Sequence, residues 1–140
     1  MNQAWELLFE GKIEEAKKLV SETFSLETCK DYSLLNLMGY IKLFEKDYQE
    51  ALLIYQKYLE IAISSQDKEN EHIGYHQLAM VYREMNDYQT ALNYIDKERE
   101  VIEDSFSEDA LKSSVNNYEQ GYLRLKLGEI AKAIMYMERS

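Results

Sequence analysis

Four times along the chain a small side chain stands twelve positions before an alanine: Ala4 before Ala16, Gly39 before Ala51, Ala79 before Ala91 and Gly121 before Ala133. A fixed offset that recurs in this way marks a repeated structural unit, and a repeat constrains the fold more tightly than composition does. Small residues at both ends of the interval are what two helices need where their axes cross closely, one on each arm of a hairpin. The sequence around the second residue of each pair recurs as well. Lys46-Asp47-Tyr48-Gln49-Glu50-Ala51-Leu52 matches Asn86-Asp87-Tyr88-Gln89-Thr90-Ala91-Leu92, and more distantly Gly128-Glu129-Ile130-Ala131 and Gly11-Lys12-Ile13-Glu14. Successive alanines lie 35, 40 and 42 residues apart, so the hairpin is the rigid unit and the extra length falls between hairpins, in the polar stretches 64–70 and 104–109.

Local chemistry agrees. The chain has no proline and only five glycines, which leaves few helix breakers. Asp47 followed by Glu50 approximates a capping box, Asp87 repeats the N-cap type, and Ser105 with Glu108 offers a further start. Gly11, Asn86 and Gly128 stand where a left-handed residue ends the first helix of a hairpin, with Lys46 as the exception at that position. The expected architecture is all-α: an array of antiparallel helix hairpins with about eight helices, in one repeat domain whose hairpins cover approximately 2–25, 31–65, 68–104 and 107–140. A chain of 140 residues is long enough to bury about 70% of its unfolded surface without staples.

The net charge of −10 is spread along the chain, with Lys and Arg interleaved among Asp and Glu. No basic cluster is present to neutralise phosphates, which argues against nucleic acid as a partner. Cys29 is the single cysteine and has no intramolecular disulfide partner, which fits a reducing compartment. The opening residues carry no signal-peptide pattern and no apolar run reaches membrane-spanning length, so the sequence reads as a cytoplasmic protein without a membrane role.

In the third hairpin Tyr75, Leu78, Ala79, Tyr82, Asn86, Asp87, Tyr88, Ala91 and Ile95 fall into one pattern, and in the second Met38, Gly39, Asp47, Tyr48, Ala51 and Tyr55 do the same. These residues resemble the tetratricopeptide repeat, and the resemblance covers nearly the whole chain. Tyr58 and Glu98 stand where that family keeps a small alanine, Lys42 and Arg124 replace an aromatic, and the family's terminal proline is missing. With the 40- and 42-residue spacings, the chain is similar to the long-helix variant of bacterial peptide-sensing regulators. The resemblance implies a right-handed superhelix whose first helices line a concave groove for a protein or peptide.

Placed by that register, the groove residues are Asn36, Tyr40, Phe44, His76, Met80, Arg83, Tyr118, Tyr122 and Lys126. Rings supply contact area, Asn bonds a peptide backbone, and Arg83 or Lys126 meets a carboxylate; the alternative is that these side chains pack between hairpins. His72 and His76 share one helix face, but without a third ligand they read as a solvent-exposed or groove-facing pair and not as a metal site. Tyr48, Tyr55, Tyr75, Tyr82, Tyr88 and Trp5 are assigned chiefly to the core, and Cys29 has no catalytic partner.

The last helix presents Ile134, Met135, Tyr136 and Met137, a face for self-association as a homodimer. No cofactor, metal or catalytic constellation is expected. The function that follows is a non-catalytic interaction module, an adaptor or scaffold. The competing reading is a regulatory domain that senses a signalling peptide and changes shape.

Overall fold

Five helices end on a residue at positive φ: Gly11 (79°), Lys46 (60°), Gln66 (55°), Asn86 (62°) and Gly128 (83°). Each makes the same pair of turn bonds. The Asn86 N–H reaches the Arg83 carbonyl at 2.9 Å and the next N–H, of Asp87, reaches back to Tyr82 at 2.9 Å; at Gln66 the equivalents are Ile63 at 3.1 Å and Ala62 at 2.9 Å. This pairing satisfies carbonyls that a helix end would otherwise orphan. The following residue then starts the next helix. Asp47, Asp67 and Asp87 accept the backbone N–H three residues on, at 3.4, 3.0 and 3.2 Å. Lys46 is therefore no exception to the rule read from the sequence: it adopts the left-handed turn with a Cβ in place.

The computed structural model describes residues 2–21 and 24–140; Glu22 and Thr23, in the first expected hairpin, lie outside the described residues. Among them there are eight helices and no strand: α1 (Asn2–Phe9), α2 (Ile13–Ser21), α3 (Tyr32–Phe44), α4 (Tyr48–Ser64), α5 (Lys68–Glu84), α6 (Tyr88–Ser105), α7 (Ala110–Lys126) and α8 (Ile130–Arg139). The start of α7 corrects one expectation. Ser105 is the last residue of α6, and α7 is capped by Asp109, whose carboxylate accepts the Lys112 N–H at 3.1 Å. A carboxylate at the true helix start outcompetes a serine four positions upstream because it also interacts with the positive end of the helix dipole.

The chain forms two compact units, Met1–Ile61 and Ala62–Ser140. The first holds α1 to α3 and most of α4. Its core is Leu8, Val20, Leu35, Leu37, Ile41 and Ile54, with the rings of Tyr55 and Tyr58. The second unit centres on Ala79, Ala91, Leu92, Ile95 and Leu123, with Tyr82, Tyr88, Tyr94 and Leu127 packed around them. All eight small residues of the recurring offset are buried. At Gly121 a Cβ would stand 3.2 Å from the Ala133 carbonyl and 2.6 Å from Met137 Cγ, so α7 and α8 do approach backbone to backbone there. Gly39 has a different neighbour: a Cβ on it would collide with the Tyr55 ring, which lies flat against α3.

Candidate interaction surfaces

In the first unit α1 and α3 set aromatic rings side by side. Trp5 stacks on Phe9 with centroids 5.7 Å apart and meets Tyr40 edge-on at 5.6 Å. Together with Leu8, Asn36 and Phe44 these residues line a cavity of about 380 Å³. Phe9 is 80% exposed and Phe44 57%, large rings left in water at its mouth. The expected groove residues Asn36, Tyr40 and Phe44 are thus brought together, and Trp5, assigned to the core from sequence, is only half-buried and forms a wall. It is displaced from the core because α1 has eight residues and its buried stripe is filled by Ala4 and Leu8. Asn36 accepts the Tyr55 hydroxyl on Oδ1 at 2.9 Å. Burial, with Tyr40 and Tyr58 nearby, holds that hydroxyl well above its ordinary value, so it stays a donor.

The second unit carries the other candidates on α5 and α7. Met80 and Tyr122 pack partly on the core, and Tyr118 is exposed. Arg83 is already engaged within the unit. Its Nη1 donates to both oxygens of buried Glu119, at 2.9 and 3.1 Å, and its guanidinium lies over the Tyr122 ring at 5.2 Å. Lys126 is exposed, sits over Tyr122 and Tyr88 at 5.6 and 6.0 Å, and has no ion pair among the described residues. Leu111, Val115 and Leu125 extend the Tyr118–Tyr122 face along the whole of α7, each 42–74% exposed. Their positions alternate by four and three residues, the signature of one helical stripe. That spacing is readable in the sequence, but the groove register taken from the repeat pattern names only Tyr118, Tyr122 and Lys126 on this helix.

His72 and His76 are neither solvent-exposed nor free. Both turn Nδ1 onto the carboxylate of Glu98, at 3.1 and 3.2 Å, and the Asn116 amide donates to the same carboxylate at 3.1 Å. An ionised carboxylate only accepts, so each Nδ1 carries its proton. Burial pushes the Glu98 carboxyl up, but the bonds from His72 and His76, the charge on His76 and the Asn116 amide outweigh it and bring it down to about 2. Burial likewise lowers His76, and the bond and charge of Glu98 with the charge of Glu119 overcome it, leaving the imidazole above its ordinary value. This arrangement ties α5, α6 and α7 together. No group of His, Cys, Asp and Glu suited to a metal ion occurs among the described residues. The Cys29 thiol points to the Asp31 carbonyl at 3.8 Å.

On α8 the exposed face comprises Ile130, Ile134, Met135 and Met137. Tyr136, expected beside them, is turned away beneath three guanidinium groups, those of Arg99, Arg124 and Arg139 at 5.3, 5.2 and 5.8 Å from the ring centre. A phenol ring held by cations is a packed side chain and not part of the apolar face. No described helix is long and apolar enough to cross a membrane.

Residues 74–97, the end of α5 and the first half of α6, match the tetratricopeptide repeat family model. The nearly identical TPR-like repeats of a kinesin-light-chain-type protein from Podosopora anserina, known from a crystal structure, are similar to this chain in fold. The TM-score is 0.76 at 16% identity, over 99% of this chain and 70% of that one. Comparison with curated proteins gives no match. The fold is that of a TPR-like repeat array.

Proposed function

We propose that the chain is a non-catalytic interaction scaffold that holds a protein or peptide segment against the first helices of its hairpins, and that within the second unit α7 offers the docking face. The observation that carries this reading is the α7 stripe of Leu111, Val115, Tyr118, Tyr122 and Leu125. Isolated apolar residues on a surface are ordinary, but a helical stripe with Leu111, Val115, Tyr118 and Leu125 in water and a half-buried Tyr122 among them marks a docking face. Scaffolds of this repeat class work without chemistry of their own, and the charged side chains around the stripe are engaged in structural pairs such as Arg83 with Glu119 and Lys112 with Asp109 and Glu69. Of the groove candidates, Tyr118 and Lys126 are free to reach a partner, Tyr122 offers the edge of a packed ring, and Arg83, His76 and Met80 shape the floor.

A photo-crosslinking residue at Tyr118, compared in cells with one at exposed Lys97 on α6, tests the reading. Discrete adducts are expected from position 118 only, and they should vanish when Leu111→Ser is added while the helical signal stays constant. Equal labelling from both positions would remove the α7 face from the proposal. Self-association through Ile134, Met135 and Met137 belongs to the same reading. It is checked by sedimentation, in which Ile134→Lys should convert a dimer to a monomer.

A further inference from the structure

The aromatic cavity of the first unit adjoins a second one. Gly11, Lys12, Ile13, Glu14, Glu15 and Glu45 line a cleft of about 410 Å³. Their linings meet in sequence on both sides: Phe9 and Gly11 lie two residues apart where α1 turns into α2, and Phe44 directly precedes Glu45 at the end of α3. Consecutive Cα atoms lie about 3.8 Å apart, so Phe44 and Glu45 set the two hollows next to each other, within reach of nearby side chains of one peptide.

Their chemistries differ. The aromatic cavity has no charged residue in its lining, and its polar groups are few: Asn36 already receives Tyr55, and the Trp5 Nε1 faces Ser33 Oγ at 3.4 Å. The cleft beside it is acidic. Lys12 is paired with Glu10 at 3.2 Å and Glu45 with Lys17 at 2.9 Å, whereas Glu14 and Glu15 are exposed, have no cation at ion-pair distance among the described residues, and attract Lys17 and Lys12 only at longer range. The whole chain carries a net charge of −10, so its long-range field favours a cation over an anion at this edge.

We propose that this double hollow is a docking site for a basic segment of a partner protein, with an apolar side chain seated among Trp5, Phe9, Tyr40 and Phe44 and a neighbouring Lys or Arg met by Glu14 and Glu15. The site rests on the scaffold reading and adds to it a location and a charge. An apolar side chain removes the exposed faces of Phe9 and Phe44 from water. The cation beside it meets two exposed carboxylates that no side chain holds at ion-pair distance among the described residues, and its stem covers the ring edges. An acidic segment would bring its charge against Glu14, Glu15 and Glu45, and a neutral one would leave the cleft unanswered.

Trp5 is the only tryptophan in the chain, so its emission reports directly on the cavity. Three capped hexapeptides serve as probes: Lys-Lys-Leu-Phe-Lys-Lys, its counterpart with Glu in place of Lys, and its counterpart with Ser. The basic peptide should shift the Trp5 emission saturably. Phe9→Ala should weaken it by about tenfold, the loss of one aromatic contact. Glu14→Gln with Glu15→Gln should weaken it by about threefold and flatten its salt dependence. All three substitutions fall on exposed side chains, and circular dichroism checks that the helices persist. A response to the acidic or Ser peptide equal to that of the basic one overturns the proposal, as does a Phe9→Ala titration identical to wild type. If Trp5 stays silent to all three while adducts form at position 118, this site falls and the scaffold reading stands. A saturable response to the basic peptide without adducts at 118 supports this site and removes the α7 face.

Discussion

The two units bury the same small-residue pairs but fill the space around them with different chemistry. In the first, every fully buried side chain among the described residues is apolar or a tyrosine. In the second, Glu71, Gln77, Glu98, Asn116, Asn117, Glu119 and Gln120 are also buried, and most of them bond from one helix to the next: Glu98 to α5 and α7, Glu119 to Arg83, Asn117 to Arg99 at 2.9 Å, and Gln120 to Asp96 at 2.8 Å. Apolar packing is non-directional and tolerates small slips between helices. A bonded polar side chain fixes one register, at the risk of a large penalty if a single partner is lost. One repeat scaffold thus carries two ways of setting the helix-to-helix fit.

Removing Glu98 is the strongest way to break that contrast. Glu98→Ala removes the shared acceptor of two largely buried imidazoles, leaves the Asn116 amide only its bond to the Ile95 carbonyl, and should cost about 3–5 kcal/mol, read from urea unfolding. A loss of less than about 1 kcal/mol would mean that the polar layer is not what fixes the second unit. Gly39→Ala is the matching test in the first unit. It adds one methyl against the Tyr55 ring and should cost about 1–3 kcal/mol, the range for overpacking a filled core. A neutral outcome would show that this ring moves aside freely.

The smallest effect is the dependence on pH. Glu98 has its carboxyl lowered from 4.5 to about 2 on folding, so its contribution is present above 4.5 and is lost as pH falls from there. His76 is raised above 6.5, so its contribution is complete below 6.5 and is lost as pH rises through the folded-state value. Between 4.5 and 6.5 both contributions are present, and stability from this cluster should peak there and decline on the alkaline side by no more than about 1.4 kcal/mol per pH unit for one proton. A Tm series across pH 5 to 9 tests this. His76→Gln should flatten the alkaline limb, and a limb that survives the substitution would have to come from another group.

Much of the fold is legible in the sequence, because the small-residue offset and the Asp caps act locally. Lys46 and Gln66 are less legible. Neither residue type favours positive φ, and their turns are imposed by the helices on either side. The site is legible in part. Register places Phe44 and Tyr118 on open helix faces, where both are exposed, and Tyr40 on the half-buried wall beside Trp5. It also places His76 and Arg83 in the groove, but it does not foresee their bonds to Glu98 and Glu119, residues 22 and 36 positions away. Trp5 and Phe9 escape it for the opposite reason: α1 is too short to bury a second row of large side chains.

The left-handed turns at Lys46, Gln66 and Asn86 follow one another at intervals of twenty residues, and each is followed at once by a capping aspartate. Two of them join the arms of a hairpin, and the middle one joins one hairpin to the next. Since the same connector serves both purposes, the backbone of the turn does not tell a reversal within a hairpin from one between hairpins; that distinction lies in the side chains of the helices the turn joins.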